Sequence, residues 1–515
     1  MAWNFDPQEV MDNGIFRGVE ANNPEYPRGH AWDLVNMRYD RNSGDPEKLR
    51  GYLLLGSSIG SAISGLFDMD EGTRLIACAE DGKIYHRTTG SWAACTGGTG
   101  FSTTSGVRWS GGMFYGATTG ARLLVISNGI DVPKKVTTAG VVSTLGGSPP
   151  AAGQFGCAWA GRWWLASGDT VYGSKVNDCE EWATTALNVQ IVSEDGNITG
   201  MKPFGDSLLI FKRATTFRLG MSDASRSALS STYVHRVATT GTPSHWSVAE
   251  AAGGSESGVL FVATEQGLRQ FVPTSASGGF YVRAVADNVD AFTSRWDLEY
   301  GKNAFGLYNE ATREYWFQYP LSSAVCNDGV IGNISRSQGK PRWSRHTIQN
   351  LTAGCFYRLS GAAVPILGDS AGNVFQAEYG DARNGSAFTG RIVTPSYTQG
   401  FRARMKNYGC IYMDISTQTN DPVNIYASLG RSGFTSPYGN DISLDALGNV
   451  GGWGVGTWGS AQWGGSAALG KWVRLKDVTR GTHLRLVIQT PGATQWFKLN
   501  GMTIQYEFSS PVLVP

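Results

Sequence analysis

The sequence predicts an all-β protein: a β-propeller of six or seven blades, preceded by an extended N-terminal arm and followed by an antiparallel β-sandwich. Three observations predict it. The 515 residues include 68 glycines, 17 tryptophans and 20 tyrosines with only 17% charged residues, a composition of short strands joined by tight turns. A hairpin grammar, typified by RWWLASGDTVYGSKVNDCEEW from Arg162 to Trp182, recurs along most of the chain. Past residue 385 that grammar gives way to longer alternating strands.

The hairpin grammar has a physical basis. Trp, Val and Tyr suit a pleated, half-buried surface, and a Gly-Asp pair supplies the backbone angles of a two-residue turn. Related stretches are TRLIACAEDGKIYHRTTGSW, VRWSGGMFYGATTGARLLVISNG, MKPFGDSLLIFKRATTFRLG, GVLFVATEQGLRQFVP, AFGLYNEATREYWFQYP and AAVPILGDSAGNVFQAEYGD. With Tyr85, Ile126, Tyr172, Phe217, Phe271, Trp316 and Phe375 as equivalent points, the intervals run from 41 to 59 residues. That brackets the roughly 40–50 residues of a four-stranded blade. A closed array also hides the strand edges that isolated sheets would expose. Successive β-sandwiches are the alternative, and they call for linkers that are not found before residue 380.

Residues 1–52 form the expected leader. Within it AWDLVNMRYD alternates as a strand, or an arm that pairs with one, and such a leader docks on its own chain or on a neighbouring subunit. Residues 53–385 are the expected propeller and 386–515 the expected sandwich. The last region holds FRARMKNYGCIYMDIST, KWVRLKDV, HLRLVIQT and FKLNGMTIQYEF, and a loop, GGWGVGTWGSAQWGG, with Trp453, Trp458 and Trp463 five residues apart.

Composition excludes several function classes. No apolar run reaches the ~20 residues of a membrane-spanning helix, and the first ten residues lack the basic-then-apolar pattern of a secretory signal, so synthesis in a cytoplasm is expected. The seven cysteines are scattered with no Cys-x-x-Cys pair and the six histidines are as dispersed, which predicts buried thiols, no metal centre and no cofactor. No nucleophile elbow, phosphate loop or His-Glu-x-x-His occurs, and SRSQGKPRW is a failed match to a sialidase Asp-box; no enzyme activity is expected. The net charge of +1 is unevenly placed: residues 391–515 carry 11 Lys/Arg against 6 Asp/Glu, +5, leaving −4 before them.

The basic residues of the last region alternate. Arg402, Arg404 and Lys406 fall on one strand face opposite Phe401, Ala403 and Met405; Arg474 and Lys476 lie opposite Val473 and Leu475; Arg485 adds a third strand. Two readings stand. The face meets phosphate or an acidic partner, or it is a solvated face kept charged for solubility. The tryptophan loop likewise contacts another chain or folds over its own sandwich.

GDTVYGSKVNDCEEW, GDSLLIFKRATTFRLG and the leader NNPEYPRGHAWDLVNMRYDRNSGDPEKLRGY together resemble propeller proteins of the tails of short-tailed bacteriophages, the nozzle or hub family. The resemblance lies in the order of weak motifs over nearly the whole chain. It implies a structural virion component, made in the host cytoplasm, whose subunits, typically six, form a ring below the portal and adaptor. A tail fibre or tip protein would adjoin it, and double-stranded DNA would pass without sequence recognition. No catalytic residue carries over. The near-zero net charge suits a conduit, because a strongly basic wall would hold DNA through counterion release. A carbohydrate-binding or carbohydrate-active propeller is the alternative, and it requires an open aromatic cleft with two carboxylates about 5–10 Å apart.

Overall fold

The computed structural model describes residues 3–8, 16, 29–116, 121–182, 187–222, 231–251, 258–274, 280–289, 293, 296–334, 341–347, 350–401, 404–417, 423–429, 441–444, 450–451, 462–463, 468–475, 480–490 and 496–509. The protein is all-β. Five separate four-stranded antiparallel sheets follow one another along the chain, spanning residues 63–99, 110–144, 155–190, 200–238 and 249–284. Two further runs of four antiparallel strands follow. The sixth comprises Phe305–Asn309, Glu314–Pro320, Cys326–Asn333 and Arg342–Arg345. The seventh joins Leu351–Leu359, Ala362–Asp369 and Val374–Ala377 to Tyr52–Leu54, a strand from the leader.

Neighbouring sheets meet through their first strands. Residues 63–69 pack on 110–115, these on 155–159, and these on 200–204; 249–251 pack on 305–309, and these on 351–359. Between the fourth and fifth sheets the link runs through their last strands and the turn His245–Ser247. Finally, 351–359 packs against 63–69, so the series returns to its first sheet.

The turn chemistry explains the strand pairing. Ser167 pairs with Thr170 across Gly168-Asp169, and Phe204 with Ser207 across Gly205-Asp206; both glycines have positive φ, +62° and +56°. Of the seven points taken as equivalent, Tyr85, Tyr172, Phe217, Phe271 and Phe375 lie on the third strand of their sheets. Ile126 and Trp316 lie on the second strand instead. In the second sheet the third strand, Lys134–Val136, is short and buries only Val136, so the apolar signal falls on the second strand, Arg122–Ser127.

The C-terminal residues contribute strands to two sheets, the second of which continues through Asp33–Val35 into the sixth and seventh runs. One contains the long strands Lys406–Thr417 and Phe497–Phe508 with Ala468–Arg474, and receives Asn4–Gln8 and Pro46–Lys48 from the leader. The other contains Val423–Leu429, Leu484–Gln489 and Arg391–Val393, and is extended by Asp33–Val35. Ile411, Met413, Leu499 and Ile504 from the first share a core with Leu484, Leu486, Ile488 and Ile392 from the second, and Leu34 and Met37 of the leader belong to the same core.

The described leader strands are therefore built into the sheets of their own chain. Its predicted strand breaks at Asn36, which has φ +53°. The Asn36 carboxamide donates to Thr389 O and accepts from the Thr347 N–H and Arg383. Gly51 closes the junction: a Cβ there would lie 1.9 Å from the carbonyl oxygen of Ala382, a backbone contact that leaves no room for a side chain.

A buried polar knot ties these parts together. Arg38 donates to both oxygens of Glu314, at 3.1 and 2.6 Å, and pairs with Glu378. Glu314 also accepts from Trp316 Nε1 and Thr312 Oγ1. Burial alone would lower the Arg38 pKa, but the charges of Glu314 and Glu378 hold it above its ordinary value. His346 sits beside the knot, its Nε2 2.7 Å from the Tyr52 hydroxyl and its Nδ1 2.8 Å from Gln318 Nε2.

Burial, helped by Arg383 and Arg38, holds the His346 pKa well below its ordinary value. The unfolded chain therefore binds a proton that the folded chain refuses, and the stability present above about pH 6.5 is lost as pH falls through it. Glu47 acts with opposite sign. Burial pushes it up to about 7, so its contribution is full below the ordinary carboxylate range and is lost as pH rises towards 7. Urea unfolding across pH 7.5 to 5 should show His346→Gln falling less steeply than wild type, by up to about 1.4 kcal/mol per pH unit. Equal slopes would mean that the folded protein protonates His346 over the same pH range as the unfolded chain. The slope comparison holds even if the variant is less stable throughout.

Candidate assembly surfaces and cavities

The predicted basic residues separate into two exposed and two buried positions, with Arg402 and Lys476 outside the described residues. Arg474 follows the expected alternation: it is exposed, while Val473 and Leu475 are buried. Arg404 is also exposed, with its guanidinium 4.0 Å from the ring centre of Phe508.

Lys406 departs from the expectation. The strand begins at Lys406 itself, so the residues before it do not share its face pattern, and the Lys406 side chain is fully buried. Its ammonium donates to the carbonyls of Phe401, Arg404 and Thr482 at 2.6, 2.9 and 2.6 Å. Burial lowers its pKa to about 8. It is an internal clasp, whereas Phe401, expected to point inward, is exposed. Arg485 departs as well: it is 7% exposed, donates from Nε to Thr394 O, and is covered by the Trp32 ring at 5.1 Å. Among the described residues, the expected basic face is thus corrected at Lys406 and Arg485, which are buried, and keeps the exposed Arg404 and Arg474.

Trp453 and Trp458 lie outside the described residues. Trp463 belongs to a short strand whose backbone pairs in parallel with Val450-Gly451.

An aromatic surface that sequence reasoning missed lies on the same sheet as Arg474. Trp472 shares its outward face two residues away and is 48% exposed; Phe5 and Trp3, from the leader, are 55% and 42% exposed. The Trp472 ring meets Phe5 at 5.8 Å and Tyr412 at 5.4 Å. The alternation of KWVR carried half the signal, since whatever exposes Arg474 exposes Trp472. The contribution of Asn4–Gln8, paired with the last strand, had no local signature.

Two cavities accompany these surfaces. One of about 450 Å³ lies at the seventh sheet, lined by Tyr52, Thr347, Phe375, Asp369 and Arg383 among others. Its carboxylate, Asp369, is committed to its own turn, accepting from the N–H groups of Ala371 and Asn373 at 2.9 and 2.7 Å. The second, of about 310 Å³, lies where the first strands of the first, second, fourth and seventh sheets converge, and contains Asp68, Lys202, His245 and Trp246. Each cavity lining holds one carboxylate, where glycoside hydrolysis uses two. Among the described residues, no group of three or more His, Cys, Asp or Glu side chains is placed to hold a metal, and no helix is long and apolar enough to cross a membrane.

No family model matches the chain, and no curated protein matches it. Among solved structures, the computationally designed Ika8 protein is similar, with 11% identity over 64% of this chain and 99% of that chain and a TM-score of 0.37.

Proposed function

We propose that the chain is a structural, ring-forming component of a short-tailed phage tail, of the nozzle or hub kind, in which a seven-bladed β-propeller and a C-terminal β-sandwich form one rigid body. The propeller reading is supported by the seven runs of four antiparallel strands, the contacts between successive first strands, and the use of Tyr52–Leu54 to complete the seventh. The sandwich reading is supported by the shared core of the two C-terminal sheets. In this reading a ring, typically of six subunits, sits below the portal and adaptor, continues the DNA channel and helps retain the packaged genome, with a fibre or tip protein alongside. The protein contributes shape and contact surfaces and performs no catalysis.

The observation that carries the assembly reading is the set of exposed rings Trp3, Phe5 and Trp472 beside Arg474, with half-buried Tyr412 packed against Trp472. Neighbouring exposed aromatics and an arginine match the composition of protein interface cores. The leader strand that supplies Phe5 is fixed by five paired residues to the last strand, so this surface is largely preformed.

Mass measurement of the purified protein, alone and mixed with its adaptor, tests the reading. A ring is expected, and Trp472→Glu with Arg474→Glu should abolish it while shifting unfolding by less than about 1 kcal/mol, as befits surface substitutions. A wild-type protein that stays monomeric at every concentration and joins no adaptor complex would overturn the ring. A ring unaffected by the double substitution would move the interface elsewhere.

A further inference from the structure

The cavity of about 310 Å³ has a chemistry that a scaffold does not need. Lys202 lies on the first strand of the fourth sheet, where Met201 turns into the core and Lys202 lines the cavity. Among the described residues no hydrogen bond or ion pair engages the Lys202 ammonium, although a half-buried lysine loses part of its hydration. His245 lines the same cavity, its ring centre 4.9 Å from that of Phe155 and 5.6 Å from that of Trp246. The Met201 N–H donates to His245 Nδ1 at 3.3 Å, which places the proton of the neutral imidazole on Nε2.

The surrounding charge is positive. Behind Trp246 lies buried Arg108, with its guanidinium 4.2 Å from the Trp246 ring centre, donating to the carbonyls of Asn303 and Ala304. These carbonyls are neutral acceptors, so they leave its charge uncompensated. Asp68 is the carboxylate of the lining, and its oxygens accept from the N–H groups of Gly72 and Arg358, at 2.8 and 3.3 Å, fixing a loop. Burial, followed by the charges of Lys202 and Arg108, pushes the His245 pKa down to about 3, so the ring stays a neutral donor at ordinary pH. Ser110 offers no further donor, because its hydroxyl is spent on Gln154 O.

We propose that this cavity binds a compact oxyanion of the carboxylate or phosphate class, with Lys202 supplying the charge, His245 Nε2–H a neutral hydrogen bond, and Trp246 a flat apolar wall. The volume exceeds that of inorganic phosphate alone, so an anion with an organic body fits better. The site is independent of the aromatic surface proposed for assembly, and its test does not depend on ring formation.

Isothermal titration of the full chain with inorganic phosphate and, separately, with citrate tests the proposal and distinguishes the two anion types. Saturable binding of at least one is expected, weakened tenfold or more in Lys202→Met, a loss of about 1.4 kcal/mol. His245→Phe keeps the ring stack, removes the donor, and should weaken binding several-fold. It also provides a second reading should Lys202→Met fold poorly, which anion-free melting will show. Absence of saturable binding of both probes, or equal affinity in wild type and either variant, would overturn the proposal.

Discussion

Arg38→Met should lower the stability of the protein by about 3–5 kcal/mol, read as a shift of the urea unfolding midpoint. The magnitude follows from what the substitution leaves behind. Arg38 is 5% exposed and Glu314 fully buried, so removing the guanidinium strands one carboxylate in the interior and a second, Glu378, next to it. Burial already raises the Glu378 pKa against the pull of Arg38, and without Arg38 protonation becomes the cheapest outcome. The variant should therefore recover part of its stability on acidification, as the stranded carboxyls take up protons. Arg38→Met combined with Glu314→Gln and Glu378→Gln should be more stable than the single variant, because the unpaired charges are gone. A single-variant loss below about 1 kcal/mol would show that the pair is solvated, like a surface salt bridge. Because Arg38 joins the leader to the sixth and seventh sheets, hydrogen exchange should rise first at residues 33–48.

That knot shows where sequence reasoning stops. The Gly-Asp turns at 168–169 and 205–206 were legible because turn geometry depends on residues adjacent in the chain. The all-β class and the recurrence of short strands were legible for the same reason. Arg38 reads as an ordinary polar position in an alternating strand; its partners lie 276 and 340 residues away. Lys406 misled because period-two alternation presumes a strand, and the strand starts only where its ammonium gathers three carbonyls from two segments. Arg485 misled for a different reason: it lies on a true strand, but the ring that covers it belongs to the leader. The aromatic cluster and the Lys202–His245 cavity are assembled from three or more segments each, and none of those segments is distinctive alone.

Trp164→Ala should cost about 3–5 kcal/mol, the range for truncating a buried large aromatic, whereas Trp472→Ala should cost less than about 1 kcal/mol. Both residues are tryptophans on short strands, so composition does not separate them; position does. Trp164 is fully buried, its Nε1 donates to Trp159 O at 2.9 Å, and its ring lies over Gly173, its partner in register. A Cβ at Gly173 would come within 3.2 Å of that ring, so the glycine and the indole fit as a pair. The same core contains Met201, Ile210 and Phe217 of the fourth sheet, so Trp164 couples two neighbouring sheets. Its removal leaves a void that neither can fill without losing strand pairing, and the surrounding side chains relax only partly. Trp164→Phe should recover most of the apolar burial yet still lose about 1 kcal/mol, because the Trp159 carbonyl loses its donor. If instead Trp472→Ala proves the more destabilising, the exposed cluster is holding the C-terminal sheet together, and the assembly surface must be sought among other residues. If Trp164→Ala is nearly neutral, the third and fourth sheets are not mutually supporting, and the proposal of one rigid, closed propeller fails with it.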